Sequence, residues 1–106
     1  MTNDQALVLL GEYRRKFREK KIICEAVPIG TRLIPSYEIP CKMLNHAGET
    51  IGHAGWMVDG AIEYALAGET DRVMRWLGFI QGILWNQGWY TIEELMGHVR
   101  GDLPVK

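Results

Sequence analysis

The residues of this chain best suited to chemistry fall into two constellations. In the first, His46, Glu49 and His53 recur at intervals of three and four, which sets two imidazoles and a carboxylate on one helical face. Imidazole nitrogen and carboxylate oxygen are donors that zinc or a similar divalent ion accepts. His46 and His53 stand two turns apart, farther than the i, i+4 pair with which one helix usually supplies two ligands. A polar surface stripe near a helix start explains the same residues, so a metal-dependent hydrolase remains only an alternative. His98 is isolated in the sequence and reads as a solvated residue near a helix end.

The second constellation is aromatic and cationic. Helical spacing puts Glu49, His53, Trp56, Gly60 and Tyr64 on one face, and Arg72, Arg75, Phe79, Gly82 and Asn86 on another. Guanidinium forks, stacking rings and glycine backbone open to close approach are what a planar anion such as a nucleotide needs. Arg72, Arg75, His53, Trp56 and Phe79 are therefore the candidate ligand-binding residues. The competing account pairs Arg72 and Arg75 with Glu69 and Asp71 and packs Trp56 and Phe79 into an oligomer interface.

Nucleophilic catalysis finds no foothold. Ser36 is the only serine, and Cys24 and Cys41 sit in an apolar, proline-bearing stretch that offers nothing to activate a thiolate. Asp59 and Glu63 lie one turn apart, as carboxylates on solvated helix faces often do. There is no Walker loop, dinucleotide fingerprint or HExxH motif, so neither a catalytic residue nor a cofactor is expected. Arg14 to Lys21 hold six of the twelve Lys and Arg residues, yet the net charge is −1. That run could track phosphates, but Glu12 and Glu19 interleave it and no helix-turn-helix signature accompanies it, so nucleic acid is not the expected partner.

These side chains need elements to position them. A first helix over 3–20 follows from Ala6, Leu10, Tyr13 and Phe17, with Thr2 and Gln5 as its capping box. Pro28, Pro35 and Pro40 then interrupt residues 22–44, which read as an extended arm with at most one short strand pair, laid over the helices or over a neighbouring subunit. A second helix, 46–67, presents Ile51, Ala54, Gly55, Val58, Ala61, Ile62 and Ala65 on one face and stops at Gly68. Its many glycines invite close approach by another segment. A third, 70–87, buries Val73, Trp76, Leu77, Ile80, Ile83, Leu84 and Gln87 while Met74, Phe79 and Trp85 lie off that face. The fourth, 92–100, is capped by Thr91 and Glu94 with a Tyr90–Leu95 staple, and is expected to turn Ile92, Leu95, Met96 and Val99 inward.

The 106 residues therefore predict one domain, 1–106: a small all-α bundle of about four helices with a proline-interrupted arm. No segment has the length and apolarity of a signal peptide or a membrane span, which predicts a cytoplasmic protein with no membrane partner. Apolar surface beyond what so small a bundle covers predicts a homo-oligomer, with Phe79, Trp85 or Trp89 near the interface.

Arg75-Trp76-Leu77-Gly78-Phe79-Ile80-Gln81-Gly82-Ile83-Leu84-Trp85 followed by Tyr90-Thr91-Ile92-Glu93-Glu94-Leu95 resembles a family of small accessory proteins of tailed phages. Glu25-Ala26-Val27-Pro28-Ile29-Gly30 and Trp56-Met57 extend the resemblance over roughly residues 22–100. It transfers no catalytic motif and no site residue. What it implies is a setting, the cytoplasm of an infected cell, and two modes of action: blocking a host defence or metabolic protein, or sequestering a small nucleotide-type immune signal.

Overall fold

A computed structural model describes residues 1–32 and 44–106, without the side chains of residues 44–47. Among the described residues there are four helices, α1 (Asn3–Glu19), α2 (Leu44–Leu66), α3 (Thr70–Asn86) and α4 (Ile92–Arg100), and no strand. The all-α expectation holds. Pro35, Pro40 and Cys41 fall outside the described residues, and the described part of the arm contains no strand pair.

Local signals set the helix ends. The Thr2 hydroxyl accepts the Gln5 N–H at 3.1 Å while the Gln5 carboxamide oxygen accepts the Thr2 N–H at 2.7 Å, a reciprocal capping box. Thr91 and Glu94 repeat the device at α4, with bonds of 3.0 and 3.1 Å. Gly68, Gly88 and Gly101 follow α2, α3 and α4 with φ of +78°, +75° and +81°, the left-handed conformation that closes a helix C-terminus.

Between these ends the expected stripes turn inward. Ala6, Leu10, Tyr13 and Phe17 of α1, joined by Leu9, are buried against Ala54, Val58, Ala61 and Ala65 of α2 and Val73, Leu77, Ile80 and Leu84 of α3. Of the α2 glycines, Gly52, Gly55 and Gly60 serve as anticipated, while Gly48 has open space around it. A Cβ at Gly52 would lie 2.5 Å from the Ile23 carbonyl oxygen, and one at Gly55 would meet the Cys24 side chain and the Phe17 ring. The start of the arm therefore runs directly against α2, where any larger residue would push it off. Burial there raises the Cys24 pKa, an effect the Asp59 charge reinforces.

Two expectations fail at α4. Of Ile92, Leu95, Met96 and Val99, only Leu95 is buried; Ile92 and Met96 are 55% and 54% exposed. Instead the helix is turned so that Leu95, Gly97 and His98 face inward. His98, expected in solvent, is only 4% exposed. The chain after α4 explains the turn: Leu103 folds against Gly97, Val105 is buried, and the Tyr90 hydroxyl donates to the Lys106 carbonyl at 3.1 Å. That return segment and two tyrosines cover His98, and the apolar stripe of α4 is left outside.

Candidate functional site

The five candidate ligand-binding residues come from α2 and α3, whose contact is the most extensive between any two described helices. Where the helices meet, their rings form a continuous row. Phe79 lies 6.4 Å from His53, His53 5.5 Å from Trp56, Trp56 5.9 Å from Trp76, and Trp76 5.0 Å from Tyr64, centroid to centroid. The Arg72 guanidinium caps the row 4.8 Å above the Tyr64 ring. Four of the five predicted residues are thus in one row.

The sequence reading assigned Trp76 to the core face. It is half-buried and links Trp56 to Tyr64 in the row, lying so close over Gly60 that a Cβ there would come 2.8 Å from the indole. Trp76 follows Arg72 by four residues and precedes Phe79 by three, and that spacing was the signal that it shares their side of α3.

His53 does more than stack. Its Nδ1 accepts the Val27 N–H at 3.0 Å, so the arm is tied to α2 within the row. That bond also turns the imidazole into part of the scaffold, which fixes the Trp56 ring beside it. Trp56 and Phe79 are 42% and 58% exposed, held in place by their half-buried neighbours.

Arg75 stands apart. Its side chain is exposed, and with Gly68, Glu69, Thr70, Asp71 and Arg72 it lines a shallow depression of about 400 Å³ at the start of α3. Arg72 lies 3.9 Å from Glu69, at the limit of an ion pair, whereas the pairing of Arg75 with Asp71 considered above is not made. An anion entering this depression would gain Arg75 and the α3 N-terminus but meet the Glu69 and Asp71 carboxylates.

The metal constellation is not assembled among the described residues: no three of His, Cys, Asp and Glu gather closely enough to hold an ion. The His46 side chain lies outside the described residues. Glu49 and Gly48 instead border a cleft of about 600 Å³ beside the arm, with Glu25, Pro28 and Thr31 across it.

Four of the six cations in the basic run are engaged locally. Arg14 makes an ion-pair contact with Asp59 of α2 at 3.1 Å, Arg15 and Lys16 reach Glu19 at 3.0 and 3.9 Å, and Lys20 lies 5.0 Å over the Trp89 ring. Trp89, one of three residues considered for an interface, is half-buried against Phe17 at 5.0 Å.

On the opposite side, α3 and α4 frame an open apolar groove of about 450 Å³, lined by Gly82, Trp85, Ile92, Leu95, Met96 and Val99. Sequence reasoning missed it because it placed the α4 stripe in the core. No described helix is long and apolar enough to cross a membrane. No family model, curated protein or solved structure matches the chain.

Proposed function

We propose that this chain is a non-enzymatic binding protein whose ligand is another protein, docked on the aromatic edge of α2 and α3. The observation that carries this reading is the packing of the row itself. Every centroid separation falls within the about 4.5–7 Å of rings in mutual contact, so successive rings leave no slot for a planar small molecule. What the row offers outward is a rigid surface of Trp56, Phe79 and Arg72, the residue types that dominate the energetics of protein interfaces. Rings held by their neighbours lose little freedom on docking, which favours affinity.

The resemblance to small tailed-phage proteins supplies the setting. The protein works in the cytoplasm of an infected cell, as a homo-oligomer, and interferes with a host defence system by occupying one of its proteins. The test is affinity capture from host lysate with the wild-type chain beside Trp56→Ala and Phe79→Ala. One stoichiometric host protein, retained by wild type and lost from both folded variants, is the expected result. Equal retention by the variants would remove the aromatic edge from the function.

A nucleotide-type signal is the second reading, and one observation favours it: Arg75 lies without an ion pair among the described residues, beside the α3 N-terminus. Calorimetric titration with nucleotide mixtures tests it. Arg75→Ala should then weaken binding by about 1.5–3 kcal/mol, the worth of a charge-assisted hydrogen bond.

A further inference from the structure

The outer face of α3 is built to receive a helix. Gly78 and Gly82, four residues apart, are exposed, and a Cβ at either would meet nothing within 4 Å. Phe79 and Trp85, 58% and 53% exposed, rise on either side of this glycine track. Beyond Trp85 lies the outward apolar stripe of α4, Ile92, Met96 and Val99. An amphipathic helix that turns its apolar stripe to water is costly in an isolated chain, and burial in an interface removes that cost.

We infer that a second copy of this chain covers the face, with the two α3 helices crossing at Gly78 and Gly82 around a two-fold axis running along them. This takes the proposed homo-oligomer further by fixing its surface, and it is independent of which host protein is bound.

Charge selects a second copy as the occupant. At about 100° per residue, Asp71 and Arg75 fall about 20° to either side of the line through Gly82. They do not pair with each other within the chain, and neither has an ion pair among the described residues. A two-fold axis along the helix exchanges left and right, so Arg75 comes to the same side as the partner's Asp71, about 6 Å from it along the axis. The long arginine side chain spans that gap, and Asp71 is placed likewise to the partner's Arg75. The same exchange puts Phe79 and the partner's Trp85 on one flank, about 9 Å apart along the axis. Small residues at the crossing let the backbones approach, and the rings fill the flanks. Phe79, Trp85, Ile92 and Met96 are each more than half exposed, and covering all four would supply a large part of the about 800 Å² per partner in a standard interface.

Sedimentation analysis of the full chain tests the inference. Wild type should sediment at twice its 12.1 kDa mass. Gly82→Leu should return it to the monomer mass with an unchanged helical circular-dichroism spectrum, since the space for the new side chain is open in the monomer. Asp71→Arg and Arg75→Asp should each be monomeric alone, because each sets like charges opposite one another. Mixed one to one, they should form a heterodimer, as both cross-pairs become complementary. A wild-type chain that stays monomeric at high micromolar concentration overturns the inference. So does a dimer indifferent to Gly82→Leu, or one in which the mixed charge variants fail to associate. Phe79 borders both the dimer face and the aromatic edge, so its loss does not separate the two; Trp56, which takes no part in the dimer face, does. Host-protein capture read through Trp56→Ala leaves that reading standing if dimerisation fails, and the converse also holds.

Discussion

The Tyr13 hydroxyl and the His98 Nδ1 lie 2.8 Å apart in the core, 85 residues apart in sequence. Gln81 Nε2 donates to the same hydroxyl at 3.0 Å, and to the Leu95 carbonyl at 3.2 Å. With its oxygen occupied as acceptor, Tyr13 turns its proton to Nδ1, which makes His98 the neutral tautomer protonated at Nε2. That Nε2–H approaches the Pro104 carbonyl without reaching hydrogen-bond geometry. One polar chain thereby joins α1, α3 and α4. Burial drives the Tyr13 pKa far up and holds the His98 pKa below its usual value, against the opposing pull of the Pro104 carbonyl, Glu94 and Glu12.

Acid should therefore loosen this protein before its carboxylates titrate. The folded pKa of His98 lies below its unfolded value of 6.5, so between the two the unfolded chain binds the extra proton. The stability it contributes is complete above about 6.5 and declines as pH falls toward the folded value. Urea midpoints recorded from pH 7.5 down to 5.5 should drop. His98→Gln, which cannot titrate, should flatten the dependence even if its stability is lower throughout. A slope unchanged by the substitution would assign the acid sensitivity elsewhere.

Removing only the Tyr13 hydroxyl strands the buried imidazole. Tyr13→Phe leaves Nδ1 without its donor and costs Gln81 one of its two acceptors, an expected loss of about 1–3 kcal/mol. Chemical denaturation measures it, with circular dichroism confirming that the helices remain.

The glycines of the chain should split by sign. Gly55→Ala drives a methyl into Cys24 and Phe17 and should destabilise by about 1–3 kcal/mol as the arm is displaced. Gly11, exposed on α1 with open space around it, should gain up to about 1 kcal/mol from the same change through helix propensity alone. Thermal melts of the two variants give the comparison, and equal signs would contradict the close approach at Gly55.

The aromatic row should separate scaffold from surface. Trp76, half-buried over Gly60 and touching both Trp56 and Tyr64, should cost about 2–3 kcal/mol as Trp76→Ala, below the range of a fully buried tryptophan. Phe79→Ala, at the exposed end, should stay within about 0.5 kcal/mol. Denaturation curves decide this, and they license reading any binding loss in Phe79→Ala as contact rather than unfolding.

The local devices of this fold were legible in the residues alone. Thr2 with Gln5, Thr91 with Glu94, and the glycines at 68, 88 and 101 act on backbone within a few residues, so their spacing suffices to place the helix ends. Long helices such as α1 and α3 also announced their buried stripes, and the glycines of α2 announced a close neighbour. For the candidate site, the residue types on α2 and α3 were visible, and four of the five proved to share a row while Arg75 stands off it. Tertiary structure alone decided the orientation of α4. Periodicity says that a helix has an apolar stripe, but not which side the rest of the chain will cover. In a helix of nine residues, the return segment closing on Gly97 and a tyrosine hydroxyl waiting for His98 outweigh Ile92, Met96 and Val99. Those contacts come from segments far apart along the chain, and no local spacing encodes them.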